Sequence, residues 1–338
     1  MLVVAILFAL VVPAINSARE AARKMQCNNN LKQYMLSIHN YESTTRRLPC
    51  AMGGTEGPPL VSNAGSISGF IGLMPYVESS PWYNELMSGN IPGGTAPWIA
   101  PSTTFDMWEL QYPSLLCPSD DSRPYRTPGE YGHTNYAFCW GDGVASILDV
   151  PPGAPLTRGP FQAHAYKKFS QVRDGLSHTV AIGEIVLKTA NPRLSAVAIV
   201  LGIEKDPSLC SGQYGPRGFA KGTQFVSSRE RRGGRWCDGR PYYSGFTTIL
   251  PPNSLSCAPT DDDASWGVFS TSSNHRGGAQ VAMLDGTVRE ISNNIDCGIL
   301  SALPPDAAQR AEEKMPSPYG VWGAMGTIDS SDGIAPPE

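Results

Sequence analysis

Two patterns of hydrophobic positions follow one another at the start of the chain. Residues 1–15, MLVVAILFALVVPAI, form an apolar run without a charge. From residue 16 onward, apolar side chains recur every three to four positions, which is the spacing of one face of an α-helix. These positions are Ala18, Ala21, Ala22, Met25, Leu31, Tyr34, Met35, Ile38 and Tyr41. The pattern predicts one continuous helix that ends before Pro49 and is kinked, or changes character, at Pro13.

The first segment of the helix is apolar on all sides, whereas the second is apolar on one face only. This change indicates that the two segments lie in different environments. We expect the first part of the helix to be held in lipid or in a helical bundle, and the rest to pack on a globular domain. A buried core helix is the alternative. The apolar run alone is shorter than the roughly 20 residues of a spanning helix, and it lacks the features of an ordinary signal peptide. The predicted division is a helix at 1–47 and a globular β-rich domain at 48–338.

Short apolar and β-branched runs, bounded by turn residues, predict strands in the rest of the chain. The clearest are Ser195–Gly202 and Ala279–Leu284, and Thr179–Val186 follows a short helix. Glycine (35) and proline (30) make up about a fifth of the 338 residues, above the usual level of roughly 12%, so many ordered turns are expected. The predicted class is α+β, with one long N-terminal helix packed on a loop-rich antiparallel sheet.

The charge and the cysteine content limit the binding partners and the cellular compartment that we expect for the protein. The net charge is −4, and no basic patch is interleaved with aromatic residues, so nucleic acid is not an expected partner. No Cys-x-x-Cys or zinc-finger spacing is present, so a structural zinc site is not expected. The even number of scattered cysteines fits disulfides formed in an oxidising compartment, with free buried thiols as the alternative and no pairing deducible. The candidates are Cys27, Cys50, Cys117, Cys139, Cys210, Cys237, Cys257 and Cys297.

Known catalytic motifs are missing from the sequence. The stretch GSISG has isoleucine where the serine of a hydrolase elbow would stand, and no His-Glu-x-x-His, P-loop or dinucleotide motif occurs. We therefore expect no enzyme and no cofactor. Asp261, Asp262 and Asp263 are weak calcium candidates, although a solvated acidic loop is favoured. Trp140 and Trp266 could stack on a sugar, although burial beside turn glycines is the more common role for such tryptophans.

His275 and Asp285 lie nine residues apart and resemble an acid–base pair. However, Asp285-Gly286 stands between two strand-like runs and predicts a two-residue type I′ hairpin turn. Asp285 is then at the tip, and six strand residues place it roughly 20 Å from the far end of the hairpin. His275 lies beyond that end, so the two side chains are not expected to form a catalytic pair.

The same hairpin register predicts the neighbours of His275. With Leu284 opposite Thr287, the histidine falls near Asp296 and Cys297, where a hydrogen bond is expected.

Several stretches resemble one bacterial family. LVVAILFALVVPAINSAREAARKMQCNNNLKQ is similar to the prepilin-type, N-terminally methylated helix of type IV pilins and pseudopilins. The chain more closely resembles a pilin-like secreted family, a domain of unknown function, that joins such a helix to a C-terminal His-x9-Asp-Gly motif, here His275, Asp285 and Gly286. Further similar stretches are LLCPSDDSRP, TNYAFCWGDG, FSQVRDGLSHTVAIGE, FTTILPPNSLSC and GVWGAMGTIDSSDG.

The resemblance implies a structural subunit of a type IV pilus or a type II secretion-like filament. Assembly would use the helix, with copies of the chain or related pilins as partners, after a stage in the bacterial inner membrane and ending in the periplasm, in an extracellular filament or on the cell surface. The assembly residues would be Leu7, Leu10, Pro13, Ala18, Ala21 and Ala22. The alternative is an exported glycan-binding protein or enzyme that uses the helix only as a membrane anchor.

The start of the family helix does not appear in this sequence. The usual opening, with its glutamate, would lie upstream of Met1. We therefore expect a shortened chain or a start codon assigned too far downstream. The intact mass of the native protein would test this expectation, because a genuine Met1 terminus without an N-methylated phenylalanine would contradict it.

Overall fold

The N-terminal helix, α1 (Leu2–Thr45), continues through Pro13 without interruption in the computed structural model. The structure describes residues 2–77, 80–89, 94–99, 106–120, 129–145, 157–187, 192–228, 231–305 and 315–330, with the side chains of α1 described from residue 10. The helix ends where Arg46 adopts a positive φ of 59°, a conformation that commonly terminates helices. The prediction of one continuous helix ending before Pro49 is confirmed.

The other helices of the described residues are short. They are α2 (Gly69–Leu73), α3 (Ser80–Ser88), α4 (Pro192–Ser195), α5 (Ser208–Ser211), α6 (Pro241–Ser244) and α7 (Gly320–Met325). Single 3-10 turns occur at Met74–Tyr76, Asp106–Glu109, Pro113–Leu115 and Phe169–Gln171.

The strands are also short, as the abundance of glycine and proline predicted. They are β1 (Met52–Gly53), β2 (Ile67–Ser68), β3 (Tyr136–Cys139), β4 (Val180–Glu184), β5 (Val197–Ile199), β6 (Tyr214–Gly215), β7 (Gly218–Phe219), β8 (Gln224–Phe225), β9 (Gly245–Phe246), β10 (Ser256–Ala258), β11 (Gly278–Met283) and β12 (Val288–Ser292). The α+β class with a long N-terminal helix is confirmed.

The main sheet has five strands in the order β12-β11-β4-β3-β9. Its first four strands pair antiparallel, whereas β9 runs parallel to β3, so the sheet is mixed. Alternate residues of a strand point to opposite faces. Phe138 on β3 and Ala282 on β11 accordingly face the core that contains α1, while Cys139 and Met283 face a second core with Trp322 of α7.

The second half of α1 forms one side of the main core. Leu31, Tyr34, Met35 and Ile38 are almost completely buried, and their spacing places them on one face of the helix. Full burial of a large apolar side chain contributes roughly 1.5–3 kcal/mol. His39 adds a polar contact, because its Nε2 donates to the Leu284 carbonyl at 2.8 Å.

The described side chains of α1 that precede Cys27 make few contacts with the body. Residues 10–19 are all exposed, and Cys27 is the first buried residue among the described side chains of the helix. Met25, which the sequence placed on the packed face, is 64% exposed. The apolar face predicted over residues 18–41 therefore packs on the body only from Cys27 onward.

The turn between β11 and β12 differs from the predicted two-residue type. Ala282 pairs with Val288, and the Met283 amide donates to the Thr287 carbonyl at 2.8 Å, which leaves a three-residue loop. Gly286 closes a turn onto the Met283 carbonyl at 2.9 Å and has a φ of 90°. This is a type I turn followed by a left-handed residue, and an Asp-Gly pair fits it as well as it fits the predicted turn.

Among the described residues, no helix has both the length and the apolar character needed to cross a membrane.

A buried cluster at the base of the N-terminal helix

Two residues of α1 face the body at the point where the helix first becomes buried. Glu20 and Cys27 are seven residues apart, so they lie on the same face of the helix, two turns from one another. The Glu20 carboxylate remains 44% exposed, and it accepts a hydrogen bond from the Ser119 hydroxyl at 3.1 Å. Cys27 is fully buried and forms a disulfide with Cys117.

Cys117 is held in place by a network of side-chain amides. Its backbone N–H donates to Asn135 Oδ1 at 2.9 Å, and Asn135 Nδ2 donates to Asp120 Oδ2 at 2.7 Å. From the helix, Asn30 Nδ2 donates to the Leu116 carbonyl at 3.0 Å. The loop that carries Cys117 is therefore fixed both to α1 and to the start of β3.

Glu184 ends the otherwise apolar strand β4 and is buried. Its Oε2 accepts a hydrogen bond from the Gln280 backbone N–H at 3.0 Å. Burial raises the pKa of this carboxyl above its usual value, although His275, the Gln280 amide and the Ser273 hydroxyl act in the opposite direction. The structure thus places a carboxyl group where its charge is poorly solvated.

His275 lies between these groups. Its Nδ1 is 2.7 Å from Glu20 Oε1, and because a carboxylate only accepts, Nδ1 carries the proton. Its Nε2 is 3.6 Å from Cys117 Sγ and 3.7 Å from Glu184 Oε1. The ring is almost completely buried, so its two nitrogens face charged or polarisable groups rather than water.

We call Glu20, Cys27, Cys117, Glu184 and His275 the helix-anchoring cluster. One ligand atom from each of the last four residues lies within 4.8 Å of the others. The cluster draws its members from four of the stretches that carry the family resemblance, namely the N-terminal helix, LLCPSDDSRP, FSQVRDGLSHTVAIGE and the His-x9-Asp-Gly motif. Chemically, these residues can fasten the helix, exchange a disulfide or bind a metal ion.

The structure corrects the prediction of which residues lie next to His275. The prediction of Asp296 and Cys297 as neighbours is wrong, because the pairing of β11 with β12 stops at Gly278 and Ser292. Before Gly278 the chain follows the end of β4 instead, where the Ser272 N–H donates to the Glu184 carbonyl at 2.9 Å.

Asp285 is remote from this cluster, and its side chain has only local hydrogen bonds among the described residues. Its Oδ1 accepts from the N–H and the hydroxyl of Thr287 at 2.9 and 2.7 Å. The six residues of β11 span about 20 Å between Asp285 and the His275 segment. The two ends of the His-x9-Asp-Gly motif thus have separate structural roles, with histidine in the cluster and aspartate in the turn.

Glu20 and Glu184 were not recognised as functional residues from the sequence. Glu184 had one usable signal, an acidic residue at the end of a buried apolar strand. Glu20 is the first acidic residue of α1, but its partners on the body are 99 and 255 positions away in the chain, and no local pattern indicates them.

The eight cysteines divide evenly between disulfides and thiols. Cys27 pairs with Cys117, and Cys210 pairs with Cys257. The remaining four, Cys50, Cys139, Cys237 and Cys297, are free thiols. Burial raises the pKa of Cys139 and of Cys297 to about 12, so these two thiols remain protonated at neutral pH.

The residues expected to mediate assembly lie on the part of α1 that precedes Cys27. Leu10 is 68% exposed, and Pro13, Ala18, Ala21 and Ala22 are also exposed. Leu7 lies in the same helix, but its side chain is outside the described part of the structure.

The three consecutive aspartates have separate partners. Asp261 accepts hydrogen bonds from the Ser227 N–H and hydroxyl. Asp262 accepts from the Ala264 N–H at 2.9 Å. Asp263 pairs with Arg240 at 2.7 Å, which helps to keep its pKa below the usual value. Calcium binding at these residues stays a prediction.

The proposed sugar-stacking residues differ from one another in exposure. Trp140 is fully buried, so it is not available to stack on a sugar, and Trp266 is only partly exposed. A different tryptophan, Trp98, is 37% exposed and lines a cavity of about 540 Å³. The Arg240 guanidinium lies 5.1 Å from its ring centre, so this cavity combines an aromatic face with charged groups.

The fold and the cluster define the class of this protein, an α+β protein whose long N-terminal helix is fastened to a mixed sheet by a disulfide and a buried histidine. The family model described as "Protein of unknown function (DUF1559)" matches residues 16–298, and the chain belongs to that family. All members of the helix-anchoring cluster lie inside the matched range. No curated protein and no solved structure matches the chain.

Proposed function

We propose that the protein is a pilin-like structural subunit that assembles into an extracellular filament through the part of α1 that precedes Cys27. The observation that carries this proposal is the contrast along one continuous helix. Leu10, Val11, Val12 and Ile15 are each at least 45% exposed, whereas the helix is packed into the body from Cys27 onward. An apolar helix surface of this kind is stabilised by burial against other apolar helices.

The small residues on the same half of the helix support close helix packing. Ala18, Ala21 and Ala22 are exposed, and small side chains let helix backbones approach one another. The proposed partners are other copies of the chain or related pilin-like subunits. A stage in the bacterial inner membrane before assembly, followed by transport to the periplasm or cell surface, is part of the proposal and rests on the resemblance of the helix to prepilins.

Exposed apolar residues on and off the helix give a matched test. The variant Leu10→Gln/Ile15→Gln changes two exposed positions on α1, and Leu201→Gln/Ile299→Gln changes two that are 78% and 66% exposed on the body. We expect a tagged full-length chain to co-purify with sheared surface filaments, seen by electron microscopy, unless the α1 positions are changed. Equal incorporation of both variants, or no filaments containing the wild-type chain, would contradict the proposal.

A second candidate function is glycan binding in the cavity beside Trp98. Sugar-binding sites combine an aromatic surface with a few polar groups, and the cavity is lined by Trp98 together with Ser66, Arg240 and Asp263. Trp82, which is 44% exposed on α3, provides a matched control. Binding of the full chain to a glycan array that is lost with Trp98→Ala and kept with Trp82→Ala would favour this function, and no binding by the wild-type chain would exclude it.

A further inference from the structure

The helix-anchoring cluster has the donor set of a tetrahedral metal site. Its ligand atoms are two sulfurs, an imidazole nitrogen and a carboxylate oxygen, all within 4.8 Å of one another. The distances from His275 Nε2 to Cys117 Sγ and to Glu184 Oε1 are 3.6 and 3.7 Å. Zinc–sulfur bonds of about 2.3 Å and zinc–nitrogen bonds of about 2.0 Å give tetrahedral edges of roughly 3.3–3.8 Å.

We propose that the cluster is a two-state clamp in which Cys27 and Cys117 form a disulfide when oxidised and, when reduced, bind one Zn²⁺ together with His275 and Glu184. Two thiolates, one imidazole and one carboxylate are ligands that zinc accepts in closed structural sites. Soft thiolates also favour zinc over magnesium or calcium. This inference does not depend on filament assembly.

The orientation of His275 fits a metal ligand. Metal-bound histidines almost always donate their other ring N–H to a carboxylate, a backbone carbonyl or water. Here Nδ1 donates to Glu20 Oε1 at 2.7 Å, which leaves the Nε2 lone pair directed at Cys117 and Glu184. Glu20 is therefore a positioning residue for the site.

The unsatisfied oxygen of Glu184 is an independent observation that points to a cation. The side chain is 1% exposed, and Oε1 lies 3.7 Å from His275 Nε2 without a hydrogen bond of normal geometry from the described residues, whereas Oε2 is held by the Gln280 N–H. A buried acceptor without a partner is destabilising. Coordination of Oε1 to a metal ion would remove that cost, because the ion supplies the missing positive charge.

A dithiol reductant supplies the electrons and protons needed to change the disulfide state into the zinc-bound state. The reductant transfers two electrons, the S–S bond breaks, and the reductant becomes a disulfide while Cys27 and Cys117 become thiols. Zn²⁺ then binds the two sulfurs, and both thiol protons pass to solvent. The sulfur atoms must separate to about 3.8 Å around the ion, which rotation of the two side chains can provide.

Cavities beside Cys117 give room and access for this change. A cavity of about 10 Å³ is lined by Cys117 and Glu184, and a larger one of about 220 Å³ is lined by Gln26, Leu116 and Cys117. The first has roughly the size of one water molecule. An ion can therefore approach from the side of the larger cavity without opening the sheet.

Cobalt titration of the full-length chain tests the proposal, because Co²⁺ occupies zinc sites and absorbs light when thiolates bind it. After anaerobic reduction with a phosphine, we expect one equivalent of Co²⁺ to give a thiolate charge-transfer band that one equivalent of Zn²⁺ removes. The oxidised chain should give no band. Near-ultraviolet circular dichroism follows the fold, and a reduced chain that loses its signal should regain it with Zn²⁺.

Matched variants identify the ligands. Cys210→Ala/Cys257→Ala removes the other disulfide and should leave the band unchanged, whereas Cys27→Ala/Cys117→Ala should abolish it. Glu184→Gln should weaken Zn²⁺ binding and shift the band. Glu20→Gln should weaken binding by about 10- to 100-fold without changing the band, since Glu20 does not contact the ion.

Three results would overturn the inference. They are the absence of a thiolate band in the reduced wild-type chain, an unchanged band in Cys27→Ala/Cys117→Ala, and a loss of circular dichroism on reduction that added Zn²⁺ does not reverse.

Discussion

Removal of the Cys27–Cys117 disulfide should destabilise the protein and, in addition, release part of α1. The bond joins residues separated by 90 positions, and the chain-entropy relation for a loop of this size gives a stabilisation of about 4.6 kcal/mol. The Cys210–Cys257 bond, with a separation of 47, gives about 4.1 kcal/mol. The variants Cys27→Ala/Cys117→Ala and Cys210→Ala/Cys257→Ala are therefore closely matched in their expected global effect.

The two variants should differ in which part of the protein opens locally. Cys27 is the first buried residue of the described part of α1, and without its disulfide the turns before Leu31 are held mainly by hydrogen bonds such as that from Asn30 to the Leu116 carbonyl. We expect these turns to open locally in Cys27→Ala/Cys117→Ala while the core around Leu31 stays folded. In Cys210→Ala/Cys257→Ala the increased opening should instead appear around β10.

Hydrogen exchange of the full-length chain, read by mass spectrometry, measures this difference. Peptides covering residues 20–30 should exchange faster in the first variant only, and urea unfolding should report the global loss for both. If residues 20–30 are equally protected in the two variants, the disulfide does not fasten the helix and the reasoning is wrong.

Three further predictions test the core, the hairpin and the buried carboxyl. Met35→Ala should lower the free energy of unfolding in urea by about 2–5 kcal/mol, whereas Leu36→Ala, at a position that is 62% exposed, should change it by less than about 0.5 kcal/mol; equal effects would contradict the packing of α1. Gly286→Ala should lower the stability of the folded state by about 1–2 kcal/mol, because the φ of Gly286 is 90°. Gly215 also has no neighbour within 4 Å of an added Cβ, and Gly215→Ala should leave the melting temperature nearly unchanged. Burial raises the pKa of Glu184 above its ordinary value of 4.5, so the wild-type chain should lose stability as the pH rises from 4.5 through that raised pKa. The Glu184→Gln variant should lack this loss. Stability–pH curves that run parallel for the two proteins would show that Glu184 is not the titrating group.

Local patterns in the sequence were sufficient for the N-terminal helix and the clearest strands but not for the site. The spacing of Leu31, Met35 and Ile38 predicted the packed helix face because a helical repeat is local. The β11–β12 hairpin was also predicted, although its register was wrong by one position. An Asp-Gly pair fits both a two-residue and a three-residue loop, and the choice depends on the pairing of Ala282 with Val288.

The partners of His275 could not be predicted because they come from distant parts of the chain. Its neighbours Glu20 and Cys117 are 255 and 158 positions away, and Glu184 belongs to a different strand. Extrapolation of the hairpin register failed because the chain leaves β12 before it reaches His275. The burial of Trp140 in the main core likewise depends on tertiary contacts that a local motif does not encode.

The continuity of α1 also has a mechanical consequence. Residues 2–26 form a helical rod about 37 Å long whose first covalent bond to the body is at Cys27, so a force on its far end is transmitted through this joint. There the load reaches a covalent bond before it reaches the packed side chains of Leu31 and Met35. Tension along the helix therefore pulls on the Cys117 loop instead of peeling α1 from the sheet, and the body can be carried by its helix under forces that would separate a helix held by packing alone.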